Sequence, residues 1–233
     1  MATLRILSAG AAQAVTERII EAFKRDTGAE VGASFAAVGA IKARVTRGEP
    51  VDVIILTQAM IDELVASGVI KQGTRINLGT VGTGVAVRAG TPAPDVSTEQ
   101  ALRAAVLGSG KIVCPDPAIA TAGKIVMSCM EKLGIEADVR RRLQFFPNGF
   151  AAMAWLAASR DAGELGITQV TEIVPNKGVT YAGPLPEAFQ MKTVYSAGLA
   201  QNAAEPALAS DFIARYTGPA AEALLGDAGF ELR

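Results

Sequence analysis

The chain has 233 residues, half of them apolar, and 22 Lys and Arg stand against 23 Asp and Glu; this gives enough apolar mass for a substantial core and no basic field for nucleic acid. It has no histidine, which excludes serine–histidine triads and imidazole-bound zinc, and its two cysteines, Cys114 and Cys129, have neither metal-ligand nor redox spacing and read as small packing residues. Charges interrupt every long apolar run, so no stretch reaches the ~20 apolar residues that span a bilayer, and a soluble chain is expected.

Met1-Ala2-Thr3 leads straight into an apolar run without the features of a secretory leader. A cytoplasmic location is therefore expected, or a periplasmic one if a leader has been removed. The opening ninety residues alternate β-branched runs with segments of helical period, the mark of parallel β-α-β units. Strands are predicted over 4–8, 30–35 and 51–56, and helices over about 13–25, 39–47 and 59–67. Val15, Ile19, Ile20 and Phe23 share a face of the first helix, and Gly28, Gly48 and Gly68 act as stops.

Residues 78–87 form one apolar strand dense in glycine, suited to a hinge. Ser97-Thr98-Glu99-Gln100 makes a capping box for a helix to about 107, and 111–114 reads as a strand. A second series then follows: helix 122–133 stopped by Gly134, strand 143–146, helix 149–158 and strand 165–168. The run Tyr181-Ala182-Gly183-Pro184-Leu185-Pro186 breaks the pattern, 192–199 is a strand, and helices over 205–216 and 219–225 complete the chain.

In an open parallel sheet, ligands gather at the carboxyl ends of the strands, where helix N-termini present unsatisfied N–H groups. Four turns have that character. They are Ser8-Ala9-Gly10-Ala11-Ala12, Ala36-Ala37-Val38-Gly39-Ala40, Ala118-Ile119-Ala120-Thr121-Ala122-Gly123 and Pro147-Asn148-Gly149. Glycine, alanine and small hydroxyl residues admit a ligand close to the backbone amides, so four such ends on one cavity would hold an anion. Taken singly, each turn reads first as a tightly packed strand-to-helix connection, and the site rests on the set of four and its division between the two halves of the chain. Lys42 and Lys124 lie beside the turns and could pair with carboxylates, or sit solvated on exposed helix faces. Trp155 and Phe150, at helical spacing, read as core.

The chain resembles the type II periplasmic solute-binding proteins, and within them the branch related to the molybdate-binding components of ABC importers. The resemblance is carried by Leu7 through Val15, Phe35 through Ile41, Gly48-Glu49-Pro50-Val51-Asp52-Val53-Ile54-Ile55, Ala122-Gly123, Glu164-Leu165-Gly166-Ile167-Thr168, Tyr195-Ser196-Ala197 and Glu205-Pro206-Ala207. It implies an α/β fold of two lobes, each a mostly parallel sheet flanked by helices, joined by two crossover strands. Lobe 1 would be 1–81 plus 186–233, and lobe 2 would be 82–185. It further implies a solute-binding protein that closes around a small anion, oxyanion or carboxylate, in an interlobe cleft. Such a protein needs no cofactor or metal, and its partners would be the anion and an ABC importer permease; a monomer is expected.

Carried onto this sequence, the family's site falls on Ser8, Gly10, Ala11, Ala12, Val38, Gly39, Ala40, Thr121, Ala122, Gly123, Lys124, Asn148, Gly149 and Gln169. The places of two family serines look like Gly10 and Val38 or Gly39, and that of a family tyrosine looks like Gln169. Lost hydroxyls weaken discrimination for a tetrahedral oxyanion. The same branch is related to aconitate isomerase, which interconverts cis and trans aconitate. A cofactor-independent isomerase of an unsaturated polycarboxylic acid is therefore the alternative, with Lys124 or Glu187 as the candidate acid–base group.

Overall fold

The computed structural model describes residues 3–161 and 163–232. Among these residues the apolar periods resolve into ten strands and ten helices. The chain begins β1 (Thr3–Ala9), α1 (Gln13–Thr27), β2 (Glu30–Ala36), α2 (Val38–Thr46), β3 (Val53–Thr57), α3 (Gln58–Ala66) and β4 (Ile76–Val81). It continues through β5 (Thr83–Arg88), α4 (Glu99–Gly108), β6 (Ile112–Pro115), α5 (Thr121–Lys132), α6 (Glu136–Val139), β7 (Leu143–Phe146) and α7 (Gly149–Ala158). The last elements are β8 (Leu165–Gln169), α8 (Val170–Ile173), β9 (Val179–Pro184), β10 (Thr193–Leu199), α9 (Pro206–Ala214) and α10 (Pro219–Asp227).

The chain divides into two units, Met1–Val81 with Thr193–Arg233, and Gly82–Lys192. Each is built on one five-stranded sheet, ordered β2-β1-β3-β10-β4 in the first and β7-β6-β8-β5-β9 in the second. In the first sheet β1 runs parallel to β2 and β3, while β10 is antiparallel to both β3 and β4. In the second, β6 runs parallel to β7 and β8, while β5 is antiparallel to β8 and β9. Four strands of each sheet thus share a direction, and the fourth in spatial order runs against them.

The glycine-rich stretch read as a single strand is two. Gly82 separates β4 from β5, which pair in different sheets. The segment read as a break around Tyr181 is strand β9, paired with β5 across an irregularity at Val85/Ala86. The second unit extends to Lys192 because Phe189 belongs to its core and Gln190 grips the backbone of Thr83, accepting from its N–H at 3.0 Å and donating to its carbonyl at 2.7 Å. Helix α4 is capped by Thr98, which accepts from the Ala101 N–H at 3.1 Å, rather than by Ser97, whose own N–H goes to Asp95.

Burial follows the predicted periods. Val15, Ile19 and Phe23 of α1 enter the first core with Leu4, Ile6 and Ile54, and Phe23 packs edge-on against Phe212 at 5.2 Å. In the second unit β5 alternates, sending Val85 and Val87 to one face of the sheet and Ala86 to the other, so helices cover both faces. Asp52 is the buried charge of the first unit: it takes the Arg5 guanidinium at 3.1 Å, the Arg5 N–H at 2.8 Å and the Ala204 N–H at 2.7 Å. Burial pushes its carboxyl up, but these bonds outweigh that and hold it below the ordinary aspartate value.

Candidate functional site

In the first unit the carboxyl ends of β1 and β2 are adjacent, with Ala9 opposite Ala36. β1 runs into a 3-10 turn, Gly10–Ala12, whose cap Ala9 makes no side-chain hydrogen bond to the leading amides; Gly10, Ala11 and Ala12 are buried. Helix α2 starts in the same way after Ala37, which sits in extended conformation and gives no side-chain cap. Ile41 is the first residue to bond back, to the Ala37 carbonyl at 3.0 Å, so by helix geometry the N–H groups of Val38, Gly39 and Ala40 have no partner within the helix. By contrast, α3, which follows β3, is capped by Thr57, whose hydroxyl accepts from Met60 at 3.4 Å. An alanine in place of a capping side chain costs about 0.5–2 kcal/mol. Ser8 is fully buried and its hydroxyl donates to the Ala9 carbonyl at 3.1 Å. Lys42 is paired with Glu63.

In the second unit the uncapped start recurs at α5, where Ala120 supplies no side-chain bond and Lys124 is the first residue to bond back, at 3.2 Å. That leaves the amides of Thr121, Ala122 and Gly123. Gly123 has a packing reason to be glycine, since a Cβ there would overlap the Pro115 carbonyl and lie 2.6 Å from the Pro117 nitrogen. Lys124 is exposed. The start of α7 is different, because the amides of Gly149 and Ala151 are taken within the unit. The Asn148 side chain accepts from Ala151 at 2.8 Å, and the Gly149 N–H goes to Glu172 at 3.1 Å. A side chain at Gly149 would overlap the Glu172 carboxylate and the Thr168 hydroxyl.

Glu172, the third residue of the short helix after β8, is 5% exposed and also receives the Thr168 hydroxyl at 2.5 Å. Burial disfavours its charged form and pushes its carboxyl up to about 7, against the bonds from Thr168 and the Gly149 and Gln169 amides. Beside it the Gln169 side chain is 1% exposed, and neither its nitrogen nor its oxygen has a partner. The hydroxyls of Thr83 and Thr171, at 0% and 1% exposure, are likewise unbonded. Thr83 stands directly opposite Gln169 on the neighbouring strand. Buried unpaired polar groups are rare in folded proteins, so three residues of this kind at one strand end call for an explanation.

Of the residues expected to form a site, Ser8, Gly10, Ala11, Ala12, Val38, Gly39 and Ala40 lie at one end of the first sheet. Thr121, Ala122, Gly123, Asn148, Gly149 and Gln169 lie at the corresponding end of the second. Lys124 and Glu187 are both exposed. Trp155 is half-buried, packed on Phe146 with Lys111 over its ring at 5.0 Å. Sequence reasoning passed over Thr83, Thr171 and Glu172. Thr83 was hidden in a glycine-rich stretch read as one strand, and Thr171 and Glu172 lie in a helix of four residues, too short to show a period. Among the described residues, no group of three or more His, Cys, Asp and Glu is placed to hold a metal, and no helix is long and apolar enough to cross a membrane. The Cys114 and Cys129 thiols are free and buried, and burial pushes both up to about 12.

Residues 4–231 match the family described as Bacterial extracellular solute-binding protein. The chain is 24% identical to aconitate isomerase from Pseudomonas sp over 234 aligned positions, covering 98% of this chain and 87% of that protein. It is also 24% identical to the molybdate-binding protein ModA of Escherichia coli (strain K12), covering 99% and 89%. Among solved structures, the periplasmic molybdate-binding protein of Azotobacter vinelandii superposes with a TM-score of 0.82 at 22% identity, covering 99% of both chains.

Proposed function

We propose that this chain, which belongs to the family of bacterial extracellular solute-binding proteins, binds a small anion through uncapped helix starts at the carboxyl ends of its strands. One observation carries the reading. The turn after β1 and the helices α2 and α5 begin at carboxyl strand ends behind alanine caps, so their N–H groups are left for something other than the protein's own side chains. An anion is the ligand such ends favour, through the unsatisfied donors and the positive end of each helix dipole. Two relatives named for anionic ligands, molybdate and aconitate, support the class. In this reading the protein works outside the cytoplasm and delivers its ligand to an ABC importer permease.

The test is a thermal-shift panel of molybdate, tungstate, sulfate, citrate and the two aconitates. A ligand present at 100 times its Kd adds about 2.7 kcal/mol to stability. The reading expects at least one anion to give a saturable rise, and absence of any rise contradicts it.

A second reading is favoured by the similarity to aconitate isomerase over nearly the whole chain: the protein interconverts unsaturated polycarboxylates without a cofactor. The proton would have to leave one carbon and another arrive at the far end of the allyl system, which requires an acid–base group at the ligand. Conversion of cis to trans aconitate by the purified chain, followed spectroscopically, decides between holding the acid and changing it.

A further inference from the structure

Three acidic side chains are buried among the described residues, Asp52, Glu164 and Glu172. Two of them have a cation: Arg5 lies 3.1 Å from Asp52, and Lys111 lies 3.9 Å from Glu164. Glu172 is held by neutral donors instead, the Gly149 N–H at the start of α7, the Thr168 hydroxyl and the backbone N–H of Gln169, the cap of its own helix. The helix α8 that carries it packs against α7, β5, β8 and β9. The titratable side chains on those elements are Arg88, the last residue of β5, and Tyr181 of β9, and neither is among the causes that shift Glu172. A buried carboxyl without a cation favours its neutral form, and burial pushes this one up to about 7.

An ionised Glu172 sets a negative charge at the positive end of α7, where an external anion would also be drawn. Beside it the Gln169 amide and the Thr83 and Thr171 hydroxyls are buried without partners, so polar groups remain for a guest. The uncapped start of α5 belongs to the same end of the same sheet. Its Gly123 packs on Pro115, the last residue of β6, and β6 is the parallel neighbour of β8. Carrying the pairing of Ile112 with Leu165 forward by three residues sets Pro115 beside Thr168. An anion on the α5 amides therefore stands within roughly 10 Å of the Glu172 carboxyl, where two like charges at an effective dielectric of ~20 weaken binding about tenfold. We infer that the second unit takes up a proton together with its anion, on Glu172, so that a more alkaline medium loosens its hold on the anion. The inference rests on the anion-binding reading above and adds its regulation. An anion that favours the protonated carboxyl is favoured by it to the same degree. Affinity is full where Glu172 is already neutral, below about 7, and falls as pH rises above that value.

Calorimetric titration of the full chain with sulfate, molybdate and trans-aconitate, whose charges are constant from pH 6 to 9, tests this. In two amine buffers of different ionisation enthalpy at pH 7.5, binding is expected to take up about half a proton per anion. Affinity is expected to fall about tenfold between pH 6 and 9. Glu172→Gln is expected to bind with no proton uptake and with level affinity. Binding by the wild type without uptake and with level affinity overturns the inference and leaves the anion reading standing, as does uptake that persists in folded Glu172→Gln. Should that variant not fold, infrared difference spectra of the wild type at pH 7.5 read the same proton. Sulfate or molybdate is then expected to raise a protonated-carboxyl band, and absence of the band on binding overturns the inference. Binding of none of the three also overturns it, and a flat thermal-shift panel removes the anion reading with it.

Discussion

Glu172 makes the stability of the second unit depend on pH in a direction opposite to that of most carboxylates. Its carboxyl is fully buried and titrates near 7 in the folded chain, against an ordinary value of 4.5. Between those two values the native state keeps a proton that the unfolded chain has already lost. Stability therefore falls as pH rises through that window: the contribution is complete below about 4.5 and gone above about 7. A separation of roughly 2.5 pH units corresponds to about 3 kcal/mol, or roughly 6–12 °C in Tm for a chain of this size. The lowered carboxylates, Asp52 among them, act in a different range, since their stabilisation is present above their unfolded values and is lost only as pH falls below about 4. Melting followed by circular dichroism from pH 4.5 to 8 should show the decline in the wild type. In Glu172→Gln the side-chain oxygen still accepts from Gly149 and its nitrogen can donate to Thr168, so this variant should fold and show a flat profile. A wild-type Tm that is level or rises from pH 5 to 7, or a variant with the same slope as the wild type, would refute the reasoning.

Gly39→Glu should leave the fold intact, because Gly39 is partly exposed at the start of α2, and should abolish anion binding by placing a carboxylate among the free amides; titration of the folded variant checks both. Lys124→Ala should weaken a polycarboxylate about tenfold and molybdate much less, since the lysine lies beyond the turn amides and can reach only a larger ligand. Asp52→Ala strands the N–H groups of Arg5 and Ala204 in the first unit and should cost about 2–4 kcal/mol in chemical denaturation, with ligand affinity unchanged in the folded fraction. Neither cysteine should react with iodoacetamide at pH 7 in the folded chain, because both thiols are buried and held as the neutral form; quantitative labelling without denaturant would contradict this.

The two-unit α/β organisation was legible because its signals are periodic and local. Val15, Ile19 and Phe23 of the α1 stripe, the αL glycine that ends the helix at Gly28 and the strands β1 and β2 stand close to where the sequence puts them. Strand pairing was less visible. Residues 78–87 are continuous in apolar character, and nothing in that pattern says that Gly82 parts two strands belonging to different sheets. For the candidate site, small residues at strand ends could be read, but whether their amides are free could not. Asn148 offers a capping side chain that Ala120 lacks, but nothing near Gly149 in sequence points to the partner of its amide. A distant glutamate takes the glycine amide, while at Ala120 the cap has no side-chain bond. Glu172 itself escaped notice because its partner Gly149, at the start of α7, lies 23 residues away along the chain.

The central claim is that uncapped helix starts at the carboxyl ends of the strands hold a small anion. Calorimetry with whichever of citrate, trans-aconitate, molybdate and sulfate gives the largest thermal shift tests it, comparing the wild type with Gly39→Glu at the start of α2. The account predicts saturable one-to-one binding by the wild type, abolished in the variant. Unchanged affinity in the variant, with its melting curve intact, would contradict it.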